Sequence, residues 1–442
     1  MASTYFSRTN VGSPTNNKIF TLSCWVKKYA APASDFETIF GGSGSSGQAD
    51  TFGFGSGTNS SGNSLHMRDS SVGSYNLVTT RLFRDVNAWY HIVVAIDTTQ
   101  ATASNRVKIY VNGVQETSFS TATYPSQNYV FDWNAANLTL AILGARANTA
   151  NTWNLNASLA HVHLTDGTAY DASSFGETDA TTGIWKPKTA PSVTYGTNGF
   201  FLKFENSGSL GLDSSGNGNN FTVNGTPTQT VDTPSNVFAT FNAVAAPYSA
   251  PTLSNGNTTT TNNSADYDAA FGTFAVSKGK WYWELKKTDT AAAYNDGVFD
   301  VDANSFGVLN PMNVSTGYTG FYNTSGGQMR KDNATSGSYG TFANGDIMGI
   351  ALDMDNKQIS IYKNGTIHVS NFAISTGCLN VVPTAIYYQT GSSQYNFGNG
   401  YFGTTAVSSG NADDNGLGIF EYAPPTGYLA LCTDNINSQE YS

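Results

Sequence analysis

The sequence predicts an all-β chain made of two tandem antiparallel β-sandwich domains of jelly-roll-like type, and three observations carry that prediction. First, a period-2 apolar strand runs into an acidic turn twice, and each time the next strand ends in an Asn-Gly turn. The copies are WYHIVVAIDTT (Trp89 to Thr99) with VKIYVNGVQ (Val107 to Gln115), and GDIMGIALDMDNKQ (Gly345 to Gln358) with ISIYKNGTI (Ile359 to Ile367). Second, charged residues make up only 12% of the chain, about half the usual share, and Gly, Ser, Thr and Asn fill the difference, as in turn-rich β-proteins. Third, no heptad seam and no segment of helical period longer than two turns stands out.

Each hairpin is justified by its own residues. Val107, Ile109 and Val111 fall on one sheet face, with Lys108 and Tyr110 on the other, the alternation of a half-buried strand. Asn112-Gly113 and Asn364-Gly365 supply the positive φ angles of a tight turn.

The remaining strands follow in order. The first domain opens with IFTLSCWVKK (Ile19 to Lys28) and passes through a Gly/Ser/Asn-rich stretch (Gly41 to Asn63) of short strands between turns. After the hairpin come a long connection (Ser118 to Asn137), LAILGA (Leu140 to Ala145), SLAHVHL (Ser158 to Leu164) and a closing hairpin (Phe200 to Val223). Thr226 to Asn236 is Pro/Thr-rich and aperiodic, which sets domains at 1–225 and 236–423 around a linker at 226–235. The second domain runs through KWYWELKK (Lys280 to Lys287), SFGVLN (Ser305 to Asn310), the second hairpin and VVPTAIYYQ (Val381 to Gln389). A tail at 424–442 carries one short apolar run behind Pro424-Pro425.

At 442 residues and 46.9 kDa the chain is long enough for two sandwich cores. A net charge of −10 excludes a nucleic-acid partner, since no basic stripe is present to neutralise phosphates, and it argues equally against an anionic membrane. No apolar run reaches the roughly 18 residues of a membrane span. MASTYFSRTN has neither a basic nor an apolar leader region, so no signal peptide is expected, and release by lysis fits an extracellular-looking composition. Cys24, Cys378 and Cys432 are odd in number and far apart, which predicts neither a disulfide framework nor a zinc site; Cys24 reads as a small buried hydrophobe.

FTLSCWVK, WYHIVVAIDTT, VKIYVNGVQ and LAHVHLTDG together resemble the laminin-G/concanavalin-A-like lectin fold over roughly residues 1–225. KGKWYWELK, FGV, GDIMGIALDMDNKQISIYKNG and VVPTAIYYQTGSSQYNFG resemble a SPRY domain over roughly 236–403. With RLFRDVNAWYH, ATYPSQNYVFDWN, SSFGETDATTGIWKPK and APPTGYLALCTDN added, the whole is similar to large structural proteins of phages of marine bacteria. The resemblance implies a virion surface protein, on tail or capsid, assembled in the bacterial cytoplasm beside other virion proteins. It implies host surface polysaccharide as the ligand, and a homotrimer if the protein is a fibre.

Candidate chemistry is sparse. Glycoside hydrolysis needs two carboxylates flanking the bond, and the nearest match, Glu177-x-Asp179, reads as a turn with Thr181 where a further acid would stand. No nucleophile elbow and no phosphate loop is written, so the expectation is a non-enzyme. His161 and His163 alternate on one strand, about 7 Å apart on one face. Three such pairs on a trimer axis could hold a metal, but the preferred reading is a solvated face, with Val162 and Leu164 packed inward. The only ion the turns suggest is a structural Ca²⁺. Its candidate ligands are Asp213 and Asn217 in Asp213-Ser-Ser-Gly-Asn-Gly-Asn, Asp300 and Asp302 before Asn304, and Asn411-x-Asp413-x-Asn415-Gly416. Neither of the last two has the closing Glu of an EF-hand, since Pro311 and Tyr422 stand there, and a plain turn is preferred for each. Trp133, Trp153, Tyr318, Tyr322 and Tyr388 lie in or near loops where a ring could cover the apolar face of a sugar. Trp89, Trp281 and Trp283 sit in strand patterns and read as core.

Three functions follow in order: a tail-fibre or receptor-binding protein that grips host glycans through sandwich loops, with avidity from many copies; a capsid decoration or head-fibre subunit docked through the tail or an edge strand; and, disfavoured, an envelope-glycan hydrolase.

Overall fold

Both hairpins form as their alternation predicts. In the computed structural model, Trp89–Asp97 pairs antiparallel with Val107–Val111, and Ile347–Asp353 with Gln358–Lys363. Asn112 and Gly113 take φ of 47° and 84°, Asn364 and Gly365 of 48° and 78°, the double positive φ of a two-residue hairpin turn. The turns agree in detail. Asn112 Oδ1 accepts the N–H of His91, and Asn364 Oδ1 that of Ile347, both at 2.8 Å. An aromatic ring from a later segment closes over each glycine, Trp185 over Gly113 and Tyr422 over Gly365.

The structure describes residues 4–30, 36–43, 50–55, 63–69, 73–143, 153–245, 249–262, 267–289, 293–303, 316–323 and 326–441. Part of the Gly-rich stretch, Gly144-Ala145, SFGVLN, Asn304 and Pro311 lie outside the described residues. The chain divides into two units, Met1–Gln229 and Thr230–Ser442.

The first unit is a sandwich of an eight-stranded and a six-stranded sheet. The larger runs in the order Phe119–Thr123, Asn76–Thr79, Ser64–Asp69, Asp50–Gly55, Phe36–Ser43, Thr139–Ile142, Tyr5–Thr9, Thr222–Asn224. The smaller runs Phe200–Leu202, Ala157–Asp166, Ile19–Lys28, Trp89–Asp97, Val107–Val111, Val114–Gln115. Alternate residues of facing strands meet in one core: Phe20, Leu22, Cys24, Ile92, Val94, Val107 and Ile109 from the smaller sheet, with Phe40, Phe52, Phe54, Leu65 and Met67 from the larger. The side chains of the two inner faces meet to form this core. A two-stranded ribbon, Gly176–Thr178 with Trp185–Pro187, forms a separate sheet.

The second unit repeats the scheme with Thr252–Ser254, Thr259–Asn262, Gly391–Asn396, Lys280–Lys287, Ile347–Asp353, Gln358–Lys363, Thr366–Ala373 in one sheet. The facing sheet runs Tyr267–Phe271, Val381–Tyr388, Ala293–Asp300, Tyr318–Tyr322, Gln328–Lys331, Ala334–Ser336. Trp281, Trp283 and Leu285 alternate into the core against Tyr294, Val298 and Phe321.

The tail departs from expectation. Leu429–Ala430 pairs parallel with Trp281 and Tyr282, and Leu431 and Cys432 are fully buried. Thr433–Tyr441 is a helix of nine residues, about two and a half turns, missed because, among its described side chains, the one deeply buried is polar. Asn435 donates to Asp413 Oδ2 at 2.7 Å and to the Ala430 carbonyl at 2.8 Å. The segment read as an attachment tail is therefore structural. Among the described residues no helix is long and apolar enough to cross a membrane.

Candidate functional site

The outer face of the six-stranded sheet in the first unit carries a second layer of side chains. Its strands offer Val93, Ala95 and Asp97 on one side and Lys108 and Tyr110 beside them, the residues of opposite parity to the core. The chain after Asp166 folds back over this face. Ala172 and Phe175 pack on Val93, with Tyr110, Tyr170, Trp185 and Val193 around them. Asp171 caps the short helical turn Ala172–Ser174 by accepting the N–H of Ser173 at 3.0 Å, which fixes the fold-back.

Where this layer ends, a cleft of about 410 Å³ opens, lined by Ala95, Asp97, Gln100, Asn105, Lys108, Tyr110, Ala169, Tyr170 and Asp171. Small Ala95 leaves room at the floor between Tyr110 and Lys108. Burial would raise the Asp97 carboxyl, but hydrogen bonds from Thr99 and Gln100 outweigh it and hold the group below the usual range, so Asp97 is an anion at neutral pH. Burial, then the nearby Asp171 charge, pushes the Tyr110 phenol up and keeps it a neutral donor. Lys108 has no ion-pair partner among the described residues. Two aromatic rings beside amide, carboxylate and ammonium groups match the needs of a sugar: an apolar ring face and a fringe of hydroxyls.

Beside the cleft, His91 is held from both sides. Its Nδ1 accepts from Trp185 Nε1 at 3.0 Å, its Nε2 lies 3.0 Å from Ser23 Oγ, and its ring stacks on Trp25 at 4.8 Å. Since Nδ1 accepts, Nε2 carries the proton. Burial pushes His91 down to about 3.

His161 and His163 are not on a solvated face. Their ring centroids lie 6.3 Å apart, but His163 is 1% exposed, stacked on Phe201 at 3.9 Å, with Nδ1 3.0 Å from Tyr195 Oη. The strand breaks register between Ala160 and His163, and His161 takes φ of 47°. This bulge and the folded-back layer, neither visible as periodicity, bury His163 and leave His161 half-buried. Burial lowers both imidazoles.

The proposed aromatic platforms divide. Trp133 is fully buried, stacked on Phe131 at 5.3 Å with Nε1 donating to the Asp50 carbonyl at 3.0 Å. Tyr318 is fully buried too. Both belong to cores: Trp133 sits in the short helical turn Asp132–Asn134, and Tyr318 opens the strand Tyr318–Tyr322. Trp153 is half-buried beside Phe36, with the Arg68 guanidinium 5.0 Å from its ring. Tyr322 is half-buried with Arg330 at 5.7 Å. Tyr388 is exposed and lies 4.7 Å from Tyr267.

The acidic turns bind themselves. Asp213 Oδ1 accepts from Phe201 N and Ser215 N, and Oδ2 from Ser215 Oγ and Asn219 N, all at 2.8 Å. Asn217 donates to the carbonyls of Gly196 and Gly199. Asp300 accepts the N–H groups of Asp302 and Leu379, and Asp302 accepts from Asn380 Nδ2. Asn411 donates to the Glu421 carbonyl at 2.9 Å, and Asp413 accepts from Asn415, Leu417, Ala430 and Asn435. With those lone pairs committed to N–H and O–H donors, these are turn and end anchors. Among the described residues no three His, Cys, Asp or Glu side chains are placed to hold an ion. Glu177 is exposed, and Asp179 accepts from Thr181 and Thr182 and pairs with Lys186 at 2.8 Å.

Comparison with known proteins agrees with this architecture. Residues 2–173 match the concanavalin A-like lectin/glucanases superfamily, in its laminin G form, and residues 280–400 match the SPRY domain. The chain thus carries a concanavalin A-like, laminin G domain followed by a SPRY domain, and the cleft residues fall inside the first match. None of the curated proteins matches the chain. Among solved structures, the SPRY domain of human HERC1 is similar at 17% identity, covering 35% of this chain and 96% of that one, with a TM-score of 0.30. The TRIM65 PSpry domain is similar at 14% identity over 36% and 89%, with a TM-score of 0.30. A candidate carbohydrate binding protein from Bacteroides ovatus is similar at 17% identity, and the match spans 51% of this chain and 59% of that one, with a TM-score of 0.34.

Proposed function

We propose that the protein is a non-enzymatic glycan-binding protein whose first domain takes host surface polysaccharide in the cleft beside Tyr110 and Tyr170. The cleft itself carries the reading: two phenolic rings, the Gln100 and Asn105 amides and the ions Asp97, Lys108 and Asp171 line one depression on a lectin-type sandwich. A low-charge surface rich in hydroxyls and amides suits sugars. No strand-borne carboxylate pair of glycosidase type is among the cleft residues, and Asp97 spends both oxygens on Thr99 and Gln100.

The finer assignment is a virion surface protein of a phage, of the tail-fibre or receptor-binding type, with avidity from many copies. It rests on the long phrases similar to phage structural proteins. Decoration of a capsid is the weaker alternative, since residues 429–441 are built into the second unit rather than available for docking.

A glycan array probed with the purified chain tests the binding. Binding to defined oligosaccharides that is lost in a Gln100→Ala/Lys108→Ala variant supports it; an array with no binder, or binding untouched by the variant, sinks it. Electron cryomicroscopy of virions separates tail from capsid.

A further inference from the structure

Lys287 stands on the core-facing side of its strand, in step with Trp281, Trp283 and Leu285, where an ammonium is out of place. Asp296 stands likewise on the facing sheet, between Tyr294 and Val298. The two side chains are 0% and 1% exposed, and Nζ lies 2.5 Å from Oδ2. The surroundings fix both partners. Nζ sits 3.0 Å from the centroid of the Tyr294 ring and donates to Ser393 Oγ at 3.0 Å. Tyr395 Oη donates to the other carboxylate oxygen, Oδ1.

We propose that Lys287 and Asp296 react after folding to form an amide bond between Nζ and Cγ, which ties together the two sheets of the second unit. The bond Nζ–Cγ forms and the bond Cγ–Oδ2 breaks. Two protons leave nitrogen for the departing oxygen, and one water is released, so an ammonium and a carboxylate become a neutral amide with no oxidant or co-reactant.

Four features of the site favour the reaction. Burial pushes Lys287 down to about 8, so a share of the molecules carries the neutral, nucleophilic amine at neutral pH. Tyr395 is placed to steady the charge that gathers on Oδ1 when nitrogen adds. The reactants are held in contact by strands of two facing sheets, and such proximity gives effective molarities of about 10⁵ M or more. A buried ion pair seldom recovers its desolvation, whereas an amide removes both charges from the core.

The intact mass of the unfolded wild-type chain decides the matter. The expected mass is one water below that of the sequence, and Asp296→Ala should show its own sequence mass with no deficit. Chymotrypsin gives an independent reading, because it cuts after Tyr294, between the two residues. A bond keeps the peptides that carry Lys287 and Asp296 together after that cut. Full sequence mass, with the two peptides separate and the Lys287 amine open to acetylation after unfolding, would overturn the proposal and leave an ion pair. Neither wild-type measurement depends on a variant that folds.

Discussion

Trp185 closes over Gly113: a Cβ on that glycine would meet the indole at 2.9 Å. The contact joins the hairpin turn to the ribbon that covers the outer face of the sheet, and Tyr422 does the same for Gly365 in the second unit, at 2.5 Å. Both glycines have positive φ, so a side chain is opposed by the backbone as well as by the ring. Gly113→Ala and Gly365→Ala are each expected to cost about 1–3 kcal/mol, read from denaturant midpoints. Midpoints within experimental scatter of wild type would show that the rings move aside freely.

Glu284 gives the second unit a pH dependence. It is fully buried and accepts the N–H groups of Tyr422 at 2.8 Å and Glu421 at 2.9 Å. Burial pushes its carboxyl up to about 7, against the opposing pull of these bonds. A raised carboxyl binds its proton more tightly folded than unfolded. Its stabilising contribution is full below the unfolded value near 4.5 and is lost as pH rises through 7. We expect thermal stability of the second unit to fall between pH 5 and 8, and Glu284→Gln to flatten that slope while lowering stability by about 1–3 kcal/mol. An unchanged slope in the variant would remove Glu284 as its source.

His91 is expected to remain neutral, with its proton on Nε2, at pH values where a free imidazole is charged. Its folded value near 3 lies below the unfolded 6.5, so the unfolded chain takes up a proton first, and the contribution of His91 declines as pH falls from 6.5. Imidazole nitrogen shifts followed from pH 8 to 5 should stay constant. A titration with a midpoint near 6.5 would contradict the buried, doubly held ring.

Trp133 separates core from ligand site. Trp133→Ala is expected to destabilise the first unit by about 3–5 kcal/mol, as large aromatic truncations do. Glycan affinity of the fraction still folded should be unchanged, measured by calorimetry at low temperature. A specific affinity loss at wild-type stability would restore Trp133 as a platform.

Much of the fold was legible because period-2 alternation and Asn-Gly turns are local signals. Parity placed Val107, Ile109 and Val111 inward and set Lys108 and Tyr110 on the opposite face, where the cleft lies. The rest of the cleft was not legible: Tyr170 and Asp171 reach it only because the chain folds back over the sheet, a tertiary event with no period. The same layer buries His163, and the bulge before it defeats parity. Trp133 and Tyr318 misled because turn-rich neighbours suggest exposure, whereas what decides burial is the partner, such as the Asp50 carbonyl that accepts the Trp133 indole. The strand KWYWELKK did hold one overlooked clue: Lys287 shares parity with three core residues.

Sugar binding in the cleft beside Tyr110 and Tyr170 has a direct thermodynamic readout. Isothermal titration of an array-selected oligosaccharide into wild type and into Gln100→Ala/Lys108→Ala tests it most directly. Gln100 is exposed and Lys108 half-buried at the cleft edge, so stability should stay within about 1 kcal/mol of wild type. The expected result is an affinity loss of about tenfold or more in the variant, equivalent to roughly 1.4 kcal/mol. Equal affinity in the two proteins would contradict it and move the search to another face.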